Sequence, residues 1–273
     1  MACVIKIAVT AVWLLLSAII VQAAEPIRIN GSGSAVNILK PLIEAYKKTD
    51  RKAVFEITKP VGSASAIKAI SNGALDIVIS SKQLSEEDVA KGCTLKEFGK
   101  TPLVIVTEKS VKKSNITTRE LEDIYSGTTT NWPGGEKIRL VLRSNWDTNT
   151  AILKVLSAGM STAMAIAQSR RGMVMEYNDP DSVTAISNTP GAMGATGLTS
   201  IIADSPPLNV LSLNKVKPSV KTVANGTYPL AKEINFITTA KTSAAALKFL
   251  KFVYSQQGRA IAEKAGVLVT AGH

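Results

Sequence analysis

Short apolar runs alternate with amphipathic segments along most of the chain. An apolar run of about 4–8 residues predicts a buried strand, and apolar residues spaced three or four apart predict a helix. The predicted strands are 27–30, 53–58, 75–79, 103–106 and 138–142, and the predicted helices are 36–48, 64–72, 118–125 and 150–156. This repeated strand–helix alternation indicates an α/β fold with largely parallel sheets.

Two local patterns add detail to this prediction. Thr117 is followed three residues later by Glu120, the spacing of a capping box at the start of helix 118–125. Residues 244–265 form a long helical pattern that we expect to be interrupted near Gly258. Its apolar stripe, which predicts core packing, consists of Leu247, Leu250, Val253 and Tyr254.

The first 24 residues have the pattern of a secretory signal peptide. Lys6 precedes a run of 15 mostly apolar residues, 7–21, which is shorter than the ~18 residues needed to span a membrane. Small residues follow, so we expect cleavage after Ala23 or Ala24. The mature protein is then predicted to be soluble and exported, without Cys3.

Composition narrows the possible functions. A hydrophobic content of 45% excludes global disorder. The single histidine, His273, is at the C-terminus, which disfavours histidine metal sites and histidine base catalysis. Two cysteines cannot build a disulfide framework, and we expect Cys93 to be structural.

The chain is basic, with 32 Lys and Arg against 21 Asp and Glu and a net charge of +11, from which signal removal takes only Lys6. Export and the absence of interleaved basic and aromatic residues argue against nucleic-acid binding. We interpret most of these charges as solvated surface, with steering of small anions towards a cleft as the alternative.

Small hydroxyl residues follow three predicted strands. Gly31-Ser32-Gly33-Ser34 and Gly62-Ser63-Ala64-Ser65-Ala66 each lead from a strand into a helix, and Ser80-Ser81 follows strand 75–79. Helix starts and small residues favour anion binding, and strand ends of an open α/β sheet converge on one crevice. The simpler alternatives are helix caps and a turn.

A fourth segment, Arg143 to Thr150, follows strand 138–142 and opens a helix. An arginine at a strand end can direct several N–H groups at an oxyanion, and the residues after it add hydroxyl and backbone donors. A surface arginine followed by an Asp or Asn helix cap is the alternative.

An enzymatic alternative rests on Ser65 and Lys68, which match a Ser-x-x-Lys pattern of penicillin-recognising enzymes. The same spacing recurs at Ser110–Lys113 and Ser212–Lys215, so it arises here by chance. No Lys-Thr-Gly segment accompanies it. A serine hydrolase is therefore disfavoured.

Taken together, these segments resemble the extracytoplasmic phosphate-binding proteins of ABC importers, within the type-II periplasmic solute-binding proteins. The resemblance spans about residues 27–268. The segments that carry it, in family order, are Gly31-Ser32-Gly33-Ser34, 62–76, Ser80-Ser81, 121–127 with Asn131-Trp132, Arg143-Ser144, Gly191-Ala192-Met193-Gly194 and 225–230.

The resemblance implies a two-lobed type-II periplasmic binding protein fold, each lobe a mostly parallel sheet flanked by helices, with the ligand in the cleft between them. It implies residues 25–106 and 232–273 as lobe one and 107–231 as lobe two, with crossings near 101–107 and 228–238. The ligand-binding residues expected on this basis are Ser32, Gly33, Ser34, Ser63, Ser80, Ser81, Arg143, Asp147, Thr148, Asn149 and Thr150.

Two departures from the family pattern concern phosphate selectivity. Ser81 stands where many phosphate binders have an Asp, whose carboxylate accepts the phosphate proton and repels fully ionised anions. The family pattern Arg-Ser-Asp-Gly-Ser-Gly-Thr becomes Arg143-Ser144-Asn145-Trp146-Asp147-Thr148-Asn149. Trp146 could line or narrow the cleft, and Asp147 could replace the missing carboxylate or cap the helix.

The resemblance therefore predicts a non-catalytic, cofactor-free and monomeric periplasmic protein that captures phosphate or a related tetrahedral oxyanion for an ABC transporter permease. The alternative is an extracytoplasmic sensor or adhesion protein that keeps the fold but has weakened or lost anion binding, which the altered segment 143–149 motivates.

Overall fold

The structure is a computed structural model that describes residues 25–270. The predicted signal peptide and the terminal His273 lie outside the described residues. Within residues 25–270, no helix combines the length and the apolar composition needed to cross a membrane.

Strands and helices alternate through the described residues. The strands are β1 (Ile27–Gly31), β2 (Phe55–Ile57), β3 (Ile77–Ser80), β4 (Cys93–Glu108), β5 (Asn115–Ile116), β6 (Arg139–Arg143), β7 (Val174–Glu176), β8 (Ala192–Gly197), β9 (Leu208–Val210), β10 (Ser212–Leu213), β11 (Ala231–Thr239) and β12 (Leu268–Val269). The helices are α1 (Gly33–Val36), α2 (Leu39–Thr49), α3 (Ser63–Ser71), α4 (Glu86–Ala90), α5 (Thr118–Ser126), α6 (Thr148–Lys154), α7 (Ala158–Ser169), α8 (Asp179–Asn188), α9 (Leu198–Asp204), α10 (Val220–Ala224), α11 (Ala244–Val253) and α12 (Gln256–Lys264).

The main sheet has the strand order β2-β1-β3-β11-β4-β8-β6-β7. The three strands at each end of this order pair in parallel. The two central strands, β11 and β4, are antiparallel to their neighbours. The predicted α/β fold with parallel strands is confirmed, whereas the antiparallel centre was not predicted from the sequence.

Strand β4 connects the two ends of this sheet. Its first part pairs with β11 up to Pro102, and its second part, from Leu103 to Thr107, pairs with β8. The chain therefore crosses between two halves along β4 and returns along β11. The lobe boundaries expected from the resemblance fall on these two strands and remain a prediction.

Two large hydrophobic clusters occupy the two halves. In one, Leu42 and Tyr46 of α2 pack with Phe249 of α11, and the Tyr46 and Phe249 ring centroids are 5.2 Å apart. In the other, Tyr125 of α5 and Met164 of α7 are buried against β6 and β8. Each half thus buries its own apolar surface, the main favourable term in folding.

The predicted helix 36–48 is two helices in the structure. Helix α1 ends at Val36 and α2 begins at Leu39. Pro41 explains the break, because proline inside a continuous helix lacks an N–H donor and clashes with the carbonyl four residues earlier. Pro41 lies in the first turn of α2, where a backbone N–H would have no partner within the helix, so its missing N–H costs no hydrogen bond there.

The C-terminal helical pattern also divides, but at Ser255 rather than near Gly258. Ser255 caps α12, where its Oγ accepts a hydrogen bond from the Gly258 N–H at 3.2 Å. Leu250 and Val253 are buried as predicted, whereas Leu247 is 51% exposed, so its place on the apolar stripe was wrong.

Two smaller predictions are confirmed. The Glu120 N–H donates to Thr117 Oγ1 at 3.2 Å and the Thr117 N–H donates to Glu120 Oε2 at 2.8 Å, which completes the capping box. Cys93 is a buried free cysteine whose Sγ lies 3.3 Å from Ser71 Oγ.

Candidate functional site

A cavity of about 600 Å³ lies between the two halves of the sheet. The residues that line it are Ser32, Gly33, Val61, Gly62, Ser63, Ala64, Ser65, Lys68, Lys82, Arg143, Ser144, Trp146, Asp147, Thr148, Tyr177, Asn178, Asp179 and Lys232. Most of these residues follow the carboxyl ends of strands from both halves, where ligands bind in open α/β sheets, whereas Lys232 lies at the start of β11.

The predicted binding residues divide into two groups around this cavity. Those that line it are Ser32, Gly33, Ser63, Arg143, Asp147 and Thr148. Those that are buried behind it are Ser34, Ser80, Ser81, Asn149 and Thr150. The fold therefore brings all of these segments to one place, but it places only part of them on the cavity wall.

Two serines of the wall, Ser32 and Ser63, are held by a third serine, Ser81, behind it. Ser81 Oγ donates to Ser32 Oγ at 3.1 Å, and Ser63 Oγ accepts from the Ser81 N–H at 3.0 Å. Because Ser32 and Ser63 both act as acceptors towards Ser81, their own O–H groups are free to donate into the cavity. Ser81 thus orients the other two serines from behind.

Ser80 has a different role from the predicted one. Its Oγ donates to the Lys82 carbonyl at 2.8 Å and accepts from the Lys82 N–H at 2.9 Å. Since both interactions stay within the local chain, the structure supports the alternative prediction, a turn after β3.

The start of α3 borders the cavity through Ser63, Ala64 and Ser65. Its N-cap is Gly62, which has no side chain to accept from the first N–H groups and adopts φ +81°. Uncapped helix starts leave N–H donors and the positive end of the helix dipole for an anion.

Arg143 is a buried cation of the wall. Its Nη2 donates to Asp147 Oδ2, while its Nε and Nη1 have no hydrogen-bond partner among the described residues. Asp147 Oδ1 in turn accepts from the Asn149 N–H at 2.8 Å and so caps α6. Asp147 therefore both caps the helix and fixes the orientation of Arg143.

Thr150 and Asn149 support this arrangement from the interior. Thr150 Oγ1 donates to the Arg143 carbonyl at 3.1 Å. The Asn149 side-chain amide donates to Asp179 Oδ1 at 3.1 Å and to the Ala195 carbonyl at 3.2 Å.

Asp179 and Lys232 are cavity residues that the sequence analysis missed. Lys232 Nζ lies 3.2 Å from Asp179 Oδ2, and both side chains are 2% exposed. Burial alone raises the pKa of Asp179, but Lys232, Arg143, and donors from Asn149 and Ser34 outweigh it and hold this pKa well below its ordinary value. The carboxylate is therefore ionised.

A sequence signal existed for both residues. Lys232 falls in phase with Ile234 and Phe236 on the buried face of β11, and a charged residue on that face indicates a buried partner. Asn178-Asp179-Pro180 has a cap residue followed by a proline near the helix start, which is typical of a helix N-terminus.

Ser34 joins the two walls of the cavity at its base. The Ser34 N–H donates to Asp179 Oδ2 at 3.1 Å, and Thr199 Oγ1 donates to the Ser34 carbonyl. A Cβ on Gly33 would lie 2.9 Å from the Asp179 Cβ, so the small residue is needed for this close approach.

Ser65 and Lys68 both line the cavity, but no hydrogen bond joins them. A serine nucleophile needs a base within hydrogen-bond reach. The geometry therefore adds nothing to the hydrolase alternative.

A family model described as a PBP superfamily domain matches residues 19–257. The chain belongs to the PBP superfamily. This match covers both halves of the sheet and the cavity between them, as the resemblance predicted.

Curated relatives and solved structures agree with this PBP superfamily assignment. The phosphate-binding protein PstS of Borreliella burgdorferi is 27% identical over 89% of this chain and 89% of its own length. Among solved structures, a phosphate-binding protein from Stenotrophomonas maltophilia has a TM-score of 0.68 at 15% identity, covering 90% of this chain and 91% of its own. An ABC-type phosphate transport receptor from Vibrio cholerae has a TM-score of 0.62 at 20% identity, covering 89% and 99%. The predicted type-II periplasmic binding protein fold is confirmed.

Proposed function

We propose that this protein captures phosphate or a related tetrahedral oxyanion in the cavity between its lobes and delivers it to an ABC transporter permease. The observation that carries this proposal is Arg143, which is buried at the cavity with Nε and Nη1 unpartnered. An unpaired buried donor costs about 1–3 kcal/mol, and more when it is charged. A bound oxyanion would satisfy these donors.

The opposite wall supports the same ligand. Ser32 and Ser63 present free O–H groups, and the uncapped start of α3 presents backbone N–H groups. These neutral donors suit an anion with several oxygens, because each oxygen can accept more than one hydrogen bond. Charge-assisted bonds from Arg143 would supply most of the binding energy.

Contacts between the lobes would couple ligand binding to the conformation that a permease recognises. Asp179 of lobe two accepts from the Ser34 N–H of lobe one, and Asn37 Nδ2 donates to Ser200 Oγ across the same interface at 3.1 Å. A ligand that contacts both walls favours the state in which these bonds form. The closed state is the form that a permease would recognise.

Several observations support the remaining parts of the proposal. The relatives are named as phosphate-binding proteins, which favours transport over the sensor or adhesion alternative and gives no support to an enzymatic activity. We infer a periplasmic location from the sequence of residues 1–24.

Asp147 is our candidate for the carboxylate that accepts the proton of phosphate, in place of the Asp replaced by Ser81. Each Asp147 oxygen accepts one hydrogen bond within the protein, and a carboxylate has about four acceptor sites. Acceptor capacity is therefore left for a protonated ligand.

Isothermal titration calorimetry tests the proposal. The mature protein would be stripped of ligand by unfolding and refolding, then titrated with phosphate, sulfate, molybdate and tungstate at two pH values. Phosphate binding is the expected result, and preference over the fully ionised anions would support Asp147 as proton acceptor. Binding of none of the four anions would contradict the proposal.

A further inference from the structure

The cavity is larger than an inorganic oxyanion requires. Its volume is about 600 Å³. A water molecule takes about 30 Å³ of liquid volume, so the five heavy atoms of phosphate need at most about 150 Å³. Cavities of roughly 300–1,000 Å³ are the ones that hold drug-sized organic ligands.

Separation of the lobes does not explain this volume, because the lobes are already in contact. The Ser34 N–H lies 3.1 Å from Oδ2 of Asp179, a residue of the cavity wall. Outside the cavity lining, Lys59 Nζ lies 2.9 Å from Asp181 Oδ1. The extra space is therefore present while the walls are in contact.

The outer part of the cavity has a different chemistry from the Arg143 end. Trp146 is 81% exposed and Tyr177 is 72% exposed, and both line the cavity from lobe two. Val61, also exposed, lines it from lobe one. Exposed aromatic and aliphatic groups that converge on a cavity favour burial of an apolar ligand group.

The two aromatic residues are held at defined positions. Trp146 immediately precedes Asp147, the N-cap of α6 that also binds Arg143. Tyr177 immediately precedes Asn178, the N-cap of α8, which begins with Asp179. Each aromatic residue is thus next in sequence to a helix N-cap at the charged wall.

Two lysines complete the outer part. Lys68 and Lys82 line the cavity, and neither forms a salt bridge within residues 25–270. Their charges are compatible with polar substituents on an organic group and with the negative charge of the phosphoryl group itself.

We propose, resting on the function proposed above, that the ligand of this protein is a phosphate monoester rather than inorganic phosphate. The phosphoryl group binds at Arg143, Ser32 and Ser63, and the organic group packs against Trp146 and Tyr177. Because the anion end is the same for both ligands, inorganic phosphate binds as well, but more weakly.

The test is calorimetric titration of the refolded mature protein with inorganic phosphate, phenyl phosphate and glycerol 3-phosphate. We expect at least one monoester to bind about tenfold or more tightly than inorganic phosphate, since its organic group gains contact with the aromatic rings that phosphate cannot make. Trp146→Ala and Tyr177→Ala should each lower the ratio of monoester affinity to phosphate affinity. Val155→Ala is the matched control, because Val155 is 82% exposed at the other end of α6 and does not line the cavity.

The outcomes separate the two proposals. Tight phosphate binding with weaker binding of both monoesters would overturn the monoester proposal and leave the proposed function standing. An affinity ratio that both aromatic variants leave unchanged would also overturn it. Failure of all three ligands to bind would remove the proposed function and the monoester proposal with it.

Discussion

The two walls of the cavity offer a ligand different kinds of interaction. The wall that follows β1 and β2 presents neutral donors, the hydroxyls of Ser32 and Ser63 and the start of α3. The wall that follows β6 and β7 presents charges, buried Arg143 and Asp179 and half-buried Asp147. Donors on both walls would form charge-assisted hydrogen bonds to an anion, but only the charged wall adds a full positive charge, at Arg143. We therefore expect the neutral wall to position the ligand and the charged wall to supply most of the affinity and stability.

The largest expected effect is a loss of stability when the buried Lys232–Asp179 pair, which joins β11 to the start of α8, is broken. Lys232→Met leaves Asp179 ionised without its closest cation and should lower the free energy of unfolding by about 3–5 kcal/mol. Urea unfolding measures this change. Lys248→Met is the matched control, because the Lys248–Asp50 pair spans a similar 2.9 Å but is exposed on the surface.

A much smaller loss is expected for this control, since solvent screens exposed pairs. Adding Asp179→Asn to Lys232→Met should recover part of the lost stability, because it removes the unpaired charge. Equal losses of stability in Lys232→Met and Lys248→Met would contradict the conclusion that Lys232 and Asp179 form a buried ion pair.

The next largest expected effect is a loss of phosphate affinity when the charged wall is altered. Arg143→Ala should weaken phosphate binding about 100-fold or more, because hydrogen bonds to charged groups contribute about 1.5–3 kcal/mol each. Calorimetry gives the dissociation constants. Arg139→Ala is the matched control, since Arg139 begins the same strand, β6, and is exposed. Comparable affinity in both variants would show that Arg143 does not contact the ligand.

A pH effect on stability follows from the lowered pKa of Asp179. A carboxyl whose folded pKa lies below its unfolded value stabilises the fold above the unfolded value, here 3.8, and loses this contribution as the pH falls towards the folded pKa. The free energy of unfolding should therefore fall below about pH 4, and Asp179→Asn should flatten that fall.

Urea unfolding between pH 3 and pH 7 makes the measurement. The control is Asp204→Asn, an exposed carboxylate at the end of α9, which should leave the slope unchanged. An identical slope in Asp179→Asn and the parent protein would argue against a lowered pKa.

The smallest effect is expected on the neutral wall. Ser63→Ala should weaken phosphate binding by about tenfold, less than Arg143→Ala, because it removes one uncharged donor and leaves the positive charge that faces the anion in place. Ser80→Ala should leave the affinity unchanged, because that hydroxyl bonds only to the Lys82 backbone. A larger loss in Ser80→Ala than in Ser63→Ala would reverse our assignment of these two serines.

The neutral wall was more predictable from the sequence than the charged wall. Ser32 and Ser63 follow apolar strand patterns and precede helical ones, so local periodicity alone placed them at one sheet edge. Arg143 was predicted for the same reason. Asp179 and Lys232 are 53 positions apart and lie in segments with no binding motif, so their pairing depends on how β11 packs against α8.

Local patterns along the chain were enough for the α/β class, the capping box at Thr117 and the positions of the small-residue loops. These features depend on contacts between residues close in sequence, where side-chain spacing decides the backbone conformation.

Tertiary structure alone decided which serines face the cavity and which residue pairs with Asp179. The antiparallel pairing of β4 with β11 belongs to the same group. Each depends on residues that are far apart in sequence and come together only in the folded protein, and hydrophobic periodicity carries no information about which distant partner a buried charge or hydroxyl will find.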